Sequence, residues 1–526
     1  MVWEKAIRLD RLERDGRAVA KVGTRQIAFF RTGDDILACN NRCPHEGYPL
    51  REGSLDGGTC VLTCNWHNWK FDLKTGANLT GGDGLRTYPT RIEGGEVWVD
   101  IVEAPAADRQ AKALANLKEA FDDESYDRMA RELARFAKAG GDPVDAVAHA
   151  ISWLHDRLEF GTVHAYPAAA GWLRLHDESN DPEMRLICLL ESIGYMADAA
   201  AGKEVYAYPE AASPWDEGAF LAAVEAEDEA GAIARIRGAL GAGLGFADIE
   251  HALSTAALAH YQDFGHSLIY VVHTGRLIQR LGPAVELPLL LALVRSLVAA
   301  SREDLIPEFR AYASALDAFP AFGGNGSPPQ SARFRGRPVK ETLGQVSEAA
   351  AKSAPETLYR ALLGAAATDM LLFDTSWGTR TDTSIAQNVG WLDFTHGLTF
   401  ANAVRQQCAR YPELWPAGLL QIACFTGRNA GFMLPAADGD WRVDDRDSFY
   451  AGCIARIADH GEDRYILAAH FLKTFLAVRE EVAAGLPAEI EAPVLASLNR
   501  FLNAPLKRKH VRRTAHQALD FVALED

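Results

Sequence analysis

Residues 43–76 read CPHEGYPLREGSLDGGTCVLTCNWHNWKFDLKTG. Cys43-Pro-His45 is followed, after eighteen residues, by Cys64-Asn-Trp-His67. Thiolate and imidazole together serve two chemistries. One is tetrahedral zinc held by two Cys and two His. The other is a [2Fe–2S] pair in which two Cys hold one iron and two His the other. Classical zinc fingers take both Cys from one arm and both His from the second. Here each arm offers one sulfur and one nitrogen, which suits a diiron cluster gripped between two loops. Zinc stays open as the alternative.

The flanking sequence gives those arms a β framework. QIAFFRT, DILACN, CVLTCNW and EVWVDI are short, rich in β-branched and aromatic residues, and punctuated by GDD, DGG, GGDG and EGGE. That is the pattern of a small antiparallel domain. It ends near Ile101 and is followed by a Pro/Ala linker, EAPAADRQ.

CPHEGYPLREGSLDGG, CNWHNWKFDLKTG and the FDLKTG tail together resemble the Rieske ferredoxin family across residues 1–103. The resemblance implies that Cys43 and Cys64 bind one iron and that His45 and His67 bind the other. The eighteen-residue interval is slightly longer than the family's usual gap. In high-potential members a disulfide joins the two loops; the matching positions here are Tyr48 and Trp66, which cannot form one. The likeness is therefore to low-potential Rieske proteins that feed oxygenases, at the lower end of a range of about −150 to +300 mV. Cys39 and Cys60 are expected to be buried thiols without a ligand role.

Beyond residue 110 the pattern changes. AKALANLKEAF, RMARELARFAKAG, HALSTAALAHYQ and YILAAHFLKTFLAVREEVAAG carry apolar residues at helical spacing. The expected fold is thus an all-β domain at 1–103 followed by a large all-α region at 111–526. A Gly/Pro-rich stretch, 319–340, divides that region into possible halves at 111–318 and 341–526, as a linker or a lid. The halves echo one another: DFGHSLIY (263–270) resembles DFTHGLTF (393–400), with Tyr261 and Trp391 two residues upstream. RGALGA and RALLGA precede them in the same order, so an internal helical duplication is one reading.

A Rieske domain moves electrons singly, so its fused neighbour is the natural acceptor. The standard Rieske non-haem iron oxygenase carries two His four residues apart plus a carboxylate on a mixed α/β domain; that combination is absent here. Helical diiron sites use carboxylate-x-x-His pairs, because i and i+3 share a helix face. Asp248/His251, Asp263/His266 and Asp393/His396 have that spacing. If 247–281 is one helix, His251, His266 and His273 share a face and His260 points away. Asp263, His266, His273, Asp393, His396 and His251 are accordingly the candidates for a second metal or for catalysis. His155 with Glu159, and Asp459, His460 and His470, rank behind them. DFGHSLIY and FTHGLTFANAVR resemble segments of questin-oxidase-like proteins, oxygenases of aromatic polyketides; the match is too short to carry residue roles across.

The 526 residues carry a formal net charge of −17, which disfavours nucleic acid. KRKHVRR (507–513) reads as a solvated helix face. Leu287–Ala300 is too short to span a bilayer and contains Arg295. With no apolar signal core at the N-terminus, a cytoplasmic protein is expected. No dinucleotide or flavin fingerprint is visible, so a separate reductase is the implied electron donor. The leading expectation is an oxidoreductase with a [2Fe–2S] cluster and a second iron or haem centre, oxidising a small organic, aromatic substrate. Two alternatives stand beside it. One is an electron-transfer or redox-sensing protein with a helical docking scaffold. The other is a cofactor-free helical pocket using histidine as a general base.

Overall fold

Arg25–Thr32 alternates side chains as a strand must, yet over residues 27–30 both of its faces are buried. Ile27 and Phe29 enter one apolar core with Leu12, Val97 and Val99. Ala28 and Phe30 enter a second with Leu62, Phe71, Cys43 and Cys64. Burying Phe29 or Phe30 contributes about 1.5–3 kcal/mol. One strand therefore ties the domain core to the loops that carry the thiols.

The computed structural model describes residues 1–523 except 261, 306, 325, 507 and 508; the side chains of 262, 263, 303 and 386 also lie outside the description. The chain divides into two compact units, Met1–Pro143 and Val144–Asp526. In the first, strands β1 (Trp3–Arg8), β2 (Arg17–Val22), β3 (Arg25–Thr32), β4 (Asp35–Asn40), β5 (Ser54–Asp56), β6 (Val61–Thr63), β7 (Lys70–Asp72), β8 (Thr87–Tyr88), β9 (Thr90–Glu93) and β10 (Glu96–Asp100) form three antiparallel sheets. Their orders are β1-β10-β9, β2-β3-β4-β8 and β5-β6-β7. A short helix, α1 (Leu9–Asp15), follows β1.

The same unit takes in helices α2 (Ala106–Asp122) and α3 (Tyr126–Lys138). Their apolar stripes, Leu117 and Phe121 on one and Met129, Leu133 and Phe136 on the other, are buried. Asp83, from the loop before β8, is 1% exposed and accepts from Arg128 Nε at 3.1 Å and Arg131 Nε at 2.8 Å. That buried, paired carboxylate fixes α3 against the β layer.

The second unit is helical, as the patterning requires. Four of its helices form a closed ring: Ala165–Glu178 packs on Gln262–Leu281, which packs on Trp391–Arg410, then Tyr465–Ala483, then back to the first. The ring segments carry His164 (at the N-cap), His266, His396 and His470, and each has a polar residue ten positions later: Arg174, Arg276, Gln406 and Glu480. Those four residues also bond one another, through Glu480. Two layers at the same offset, about 15 Å of helix rise, require the four helices to run in one direction.

The single helix expected over 247–281 is corrected to two, Phe246–Ala259 and Gln262–Leu281. His260 leaves helical geometry at φ −123° and ψ 73°, and the Ser267 hydroxyl takes up its carbonyl. The 319–340 stretch has only short helical turns before Val339, yet it is laid down by bonds from Gly323 N to Ala350 O and Gly326 N to Lys352 O, at 2.9 and 2.8 Å. In the 507–513 stretch, 507 and 508 lie outside the described residues, and Arg513 is buried. Among the described residues, no helix is long and apolar enough to cross a membrane. Arg295, inside the helix Glu286–Ala299, bonds Glu229 at 2.8 Å.

Candidate metal centres

The first site stands on two loops with one backbone design. Cys43 N donates to Tyr48 O and Gly47 N returns to Cys43 O; Cys64 N donates to Trp69 O and Asn68 N returns to Cys64 O. The returning residues, Gly47 and Asn68, have φ of 78° and 62°. Asparagine is among the few side chains that visit this left-handed region readily. The design turns Cys43 and Cys64 inward, at 4% and 1% exposure, and His45 and His67 outward.

The two imidazoles meet Nδ1 to Nδ1 at 3.1 Å. Trp69 stacks on His45 and Trp66 on His67, with ring centroids 4.5 and 4.9 Å apart, which fixes both ring planes. Burial pushes the Cys43 thiol up to about 11, with Cys64 beside it adding to the rise. Such a thiol ionises at neutral pH only against a cation. Two sulfurs inside and two nitrogens outside, from paired loops, fit a [2Fe–2S] group with Cys43 and Cys64 on one iron and His45 and His67 on the other. Tyr48 and Trp66 occupy the loop tips with ring centroids 5.9 Å apart. Cys39 and Cys60 are buried free thiols.

The second site lies inside the helix ring. His266 Nε2 is 2.9 Å from His164 Nε2 and 3.0 Å from His396 Nε2, and His470 Nε2 is 3.4 Å from His396 Nε2. One nitrogen from each of the four lies within 4.8 Å of all the others. Nitrogens bound at about 2.1 Å to one ion stand roughly 3.0 to 3.4 Å apart. Burial, the neighbouring imidazoles and Lys473 hold His164, His396 and His470 well below the usual histidine range. They are therefore neutral donors at pH 7. His470 Nδ1 lies 2.6 Å from the Ile466 carbonyl, so it carries the proton and leaves the Nε2 lone pair facing the other three.

The chain bends sharply to present His266. Phe264 and Gly265, just before it, have φ of 63° and 86°. An aromatic residue is strained in that region. The Phe264 ring lies parallel to the His396 ring at 6.1 Å and packs on Phe425 at 5.0 Å. Phe400 completes an aromatic wall, 5.2 Å from Phe425.

Of the residues expected at a second site, the structure brings together His266 and His396. His470, ranked behind them, joins them. The side chain of Asp263 lies outside the described residues. Asp393 accepts from Gly390 N at 2.8 Å and from Arg428 Nη1 at 3.1 Å, which makes it a helix cap and ion-pair partner. Asp248 caps Gly245 in the same way. His251, on a helix outside the ring, sits between Glu217 and Glu413 at 2.7 and 2.8 Å. His273 is two turns from His266 and not among the four. His155 lies against the Ser152 carbonyl, and His460 pairs with Glu191 at 3.1 Å; Asp459 and Glu159 are exposed. His164 was missed. It stands before an Ala-rich helix with no acidic partner at helical spacing, so pattern reading had no handle on it.

Residues 2–89 match the family described as the Rieske [2Fe-2S] domain. Among curated proteins, the 3-phenylpropionate/cinnamic acid dioxygenase ferredoxin subunit of Escherichia coli (strain K12) is 40% identical over 80 residues, 15% of this chain and 74% of that protein. The protein of the same description from Shigella boydii serotype 4 (strain Sb227) is 39% identical over 80 residues, with the same coverage. Among solved structures, the ferredoxin of carbazole 1,9a-dioxygenase from Nocardioides aromaticivorans IC177 is 26% identical. It covers 19% of this chain and 97% of that one, with a TM-score of 0.18.

Proposed function

The chain belongs to the Rieske [2Fe–2S] ferredoxin family through its N-terminal domain, and on that premise we propose that it is a fused oxidoreductase. The domain at 1–103 receives electrons from a separate reductase and delivers them to the helical domain at 111–526. There a second, non-haem iron serves the oxygen-dependent oxidation of a small aromatic substrate. The dioxygenase ferredoxin subunits to which the chain is similar support the electron-transfer half.

The observation that carries the second half is the convergence of His164, His266, His396 and His470 on one point. Four imidazoles suit a divalent first-row metal. Four nitrogens within 4.8 Å leave no space among them for a porphyrin, which favours non-haem iron over haem. Bound there, iron would supply one-electron chemistry with dioxygen. The protein's own part is to orient and to exclude water. The Ile466 carbonyl holds the His470 tautomer, burial keeps His164, His396 and His470 unprotonated, and Phe264, Phe400 and Phe425 offer aromatic faces beside His396.

Iron and haem quantification beside an optical spectrum tests the proposal. Three irons per chain and no haem are expected, falling to two in His396→Ala with the cluster spectrum intact. Two irons in the unaltered protein, or zinc at the second site, would sink the oxidative reading and leave the electron-transfer scaffold. With Tyr48 and Trp66 in place of a loop disulfide, the cluster midpoint is expected below zero, toward about −150 mV.

A further inference from the structure

Between the Cys43 loop, the 75–87 loop and helices α2 and α3, the first unit forms an open cavity of about 650 Å³. In a chain of net charge −17, its lining runs the other way, with six Lys and Arg against two Glu. Neither acid leaves a free negative charge in it. Glu103 accepts from Arg86 at 2.9 Å and Arg25 at 2.5 Å. Glu132 Oε1 accepts from Asn116 at 3.2 Å and from Arg135. Arg42, Lys112 and Lys138 make no ion pair among the described residues and face the same space. Cationic groups left unpaired around a concave surface create a focused positive potential.

A second observation points to an occupant. Glu132 is fully buried, lines the cavity, and its Oε2 has no hydrogen-bond partner. A buried polar atom left unsatisfied is rare and calls for a missing partner. Burial raises this carboxyl, and Arg135 and Asn116 oppose the rise. Cys43 and Pro44 form part of the same wall.

We propose that this cavity is an effector site for a small, multiply charged oxyanion, phosphoryl or polycarboxylate, and that its occupancy lowers the reduction potential of the cluster that Cys43 would help to hold. Arg42, Lys112 and Lys138 supply the charge. Negative charge beside the cluster favours the oxidised form, and by linkage oxidation tightens anion binding by the same factor. The potential half of the proposal rests on Cys43 being a cluster ligand; the binding half does not.

Calorimetric titration of the full-length, cluster-loaded protein with pyrophosphate and with citrate, at matched ionic strength, tests the binding. One site per chain is expected, with the tighter probe assigning the class. Lys112→Gln/Lys138→Gln changes two exposed, unpaired side chains, so it is expected to keep the parent's circular dichroism and to weaken binding at least tenfold. Failure of both probes, or equal affinity in the double variant, overturns the site. At saturation the cluster midpoint is expected to fall, by about 59 mV for each tenfold preference for the oxidised form. Binding without a shift overturns the coupling. Retention of the cluster spectrum in Cys43→Ser would instead refute the ligand assignment, leaving the calorimetry untouched.

Discussion

Arg276 Nη2 donates to both carboxylate oxygens of Glu480, at 2.7 and 2.8 Å. Arg174 reaches the same carboxylate, and Gln406 Nε2 does so at 3.1 Å. One acid thus knits all four ring helices at a level about 15 Å from the histidines. The two arginines hold it ionised against the cost of burial. In Glu480→Gln the two arginines lose their counter-charge, and a loss of about 2 kcal/mol is expected, below the ~3–5 typical of a fully buried pair because the site is partly exposed. Urea unfolding followed by far-UV circular dichroism reads this, while the cluster absorption of the first unit stays constant. A variant as stable as the parent would show that the layer is decorative.

How far the sequence could be read follows from what each signal rests on. The β domain and its four ligand candidates were legible because close spacing within two loops makes contact nearly unavoidable. The all-α region was legible from periodicity. His266 and His396 drew notice through the repeat of 263–270 and 393–400, in which the Asp263 side chain lies outside the described residues. Asp248 and Asp393 recur three residues before a histidine because both occupy the third position of a helix and bond the backbone of the cap residue. His164 and His470 depend on helix packing across hundreds of residues, and no local pattern encodes that.

Capping and metal binding can be separated at Asp393. Replacing a capping residue with alanine costs about 0.5–2 kcal/mol. Asp393→Ala is therefore expected to lower the stability of the helical unit by that amount while iron content stays at the parent level. His396→Ala should do the reverse, losing one iron. If Asp393→Ala also loses an iron, the aspartate is a ligand and the capping account fails.

Glu103 gives the first unit a defined acid response. Arg86 and Arg25 hold its carboxyl down at about 2, against some burial, where an unfolded glutamate titrates near 4.3. A depressed carboxyl contributes stability above its unfolded value and loses it as pH falls through its folded one. The group is well solvated, so the contribution is discounted to about 1 kcal/mol. Glu103→Gln should be less stable than the parent by that amount at pH 6. The difference should shrink below about pH 4 and vanish near pH 2. A gap that persists at pH 2 would assign the effect to packing rather than charge.

Gly265 tests the geometry of the second site without touching a donor atom. Its φ of 86° belongs to glycine, and a Cβ there would lie 2.1 Å from Phe400 Cδ2, inside the aromatic wall. Phe400 is fully buried and packs on Phe425, so the ring has little room to yield. Overpacking at such a point costs about 1–3 kcal/mol, and the left-handed backbone adds about 1–2. Because His266 is the next residue, the strain falls on its contacts with His164 and His396. Gly265→Ala should lose the second-site iron while helicity is largely retained. Gly171→Ala is the control: the nearest atoms its Cβ would meet belong to the flexible Leu472 and Leu476 side chains, at 2.9 and 3.1 Å. That variant should lose stability but keep its iron, since no ring histidine adjoins it. Equal iron content in the two variants would mean that the close approach of Gly265 to Phe400 does not position His266.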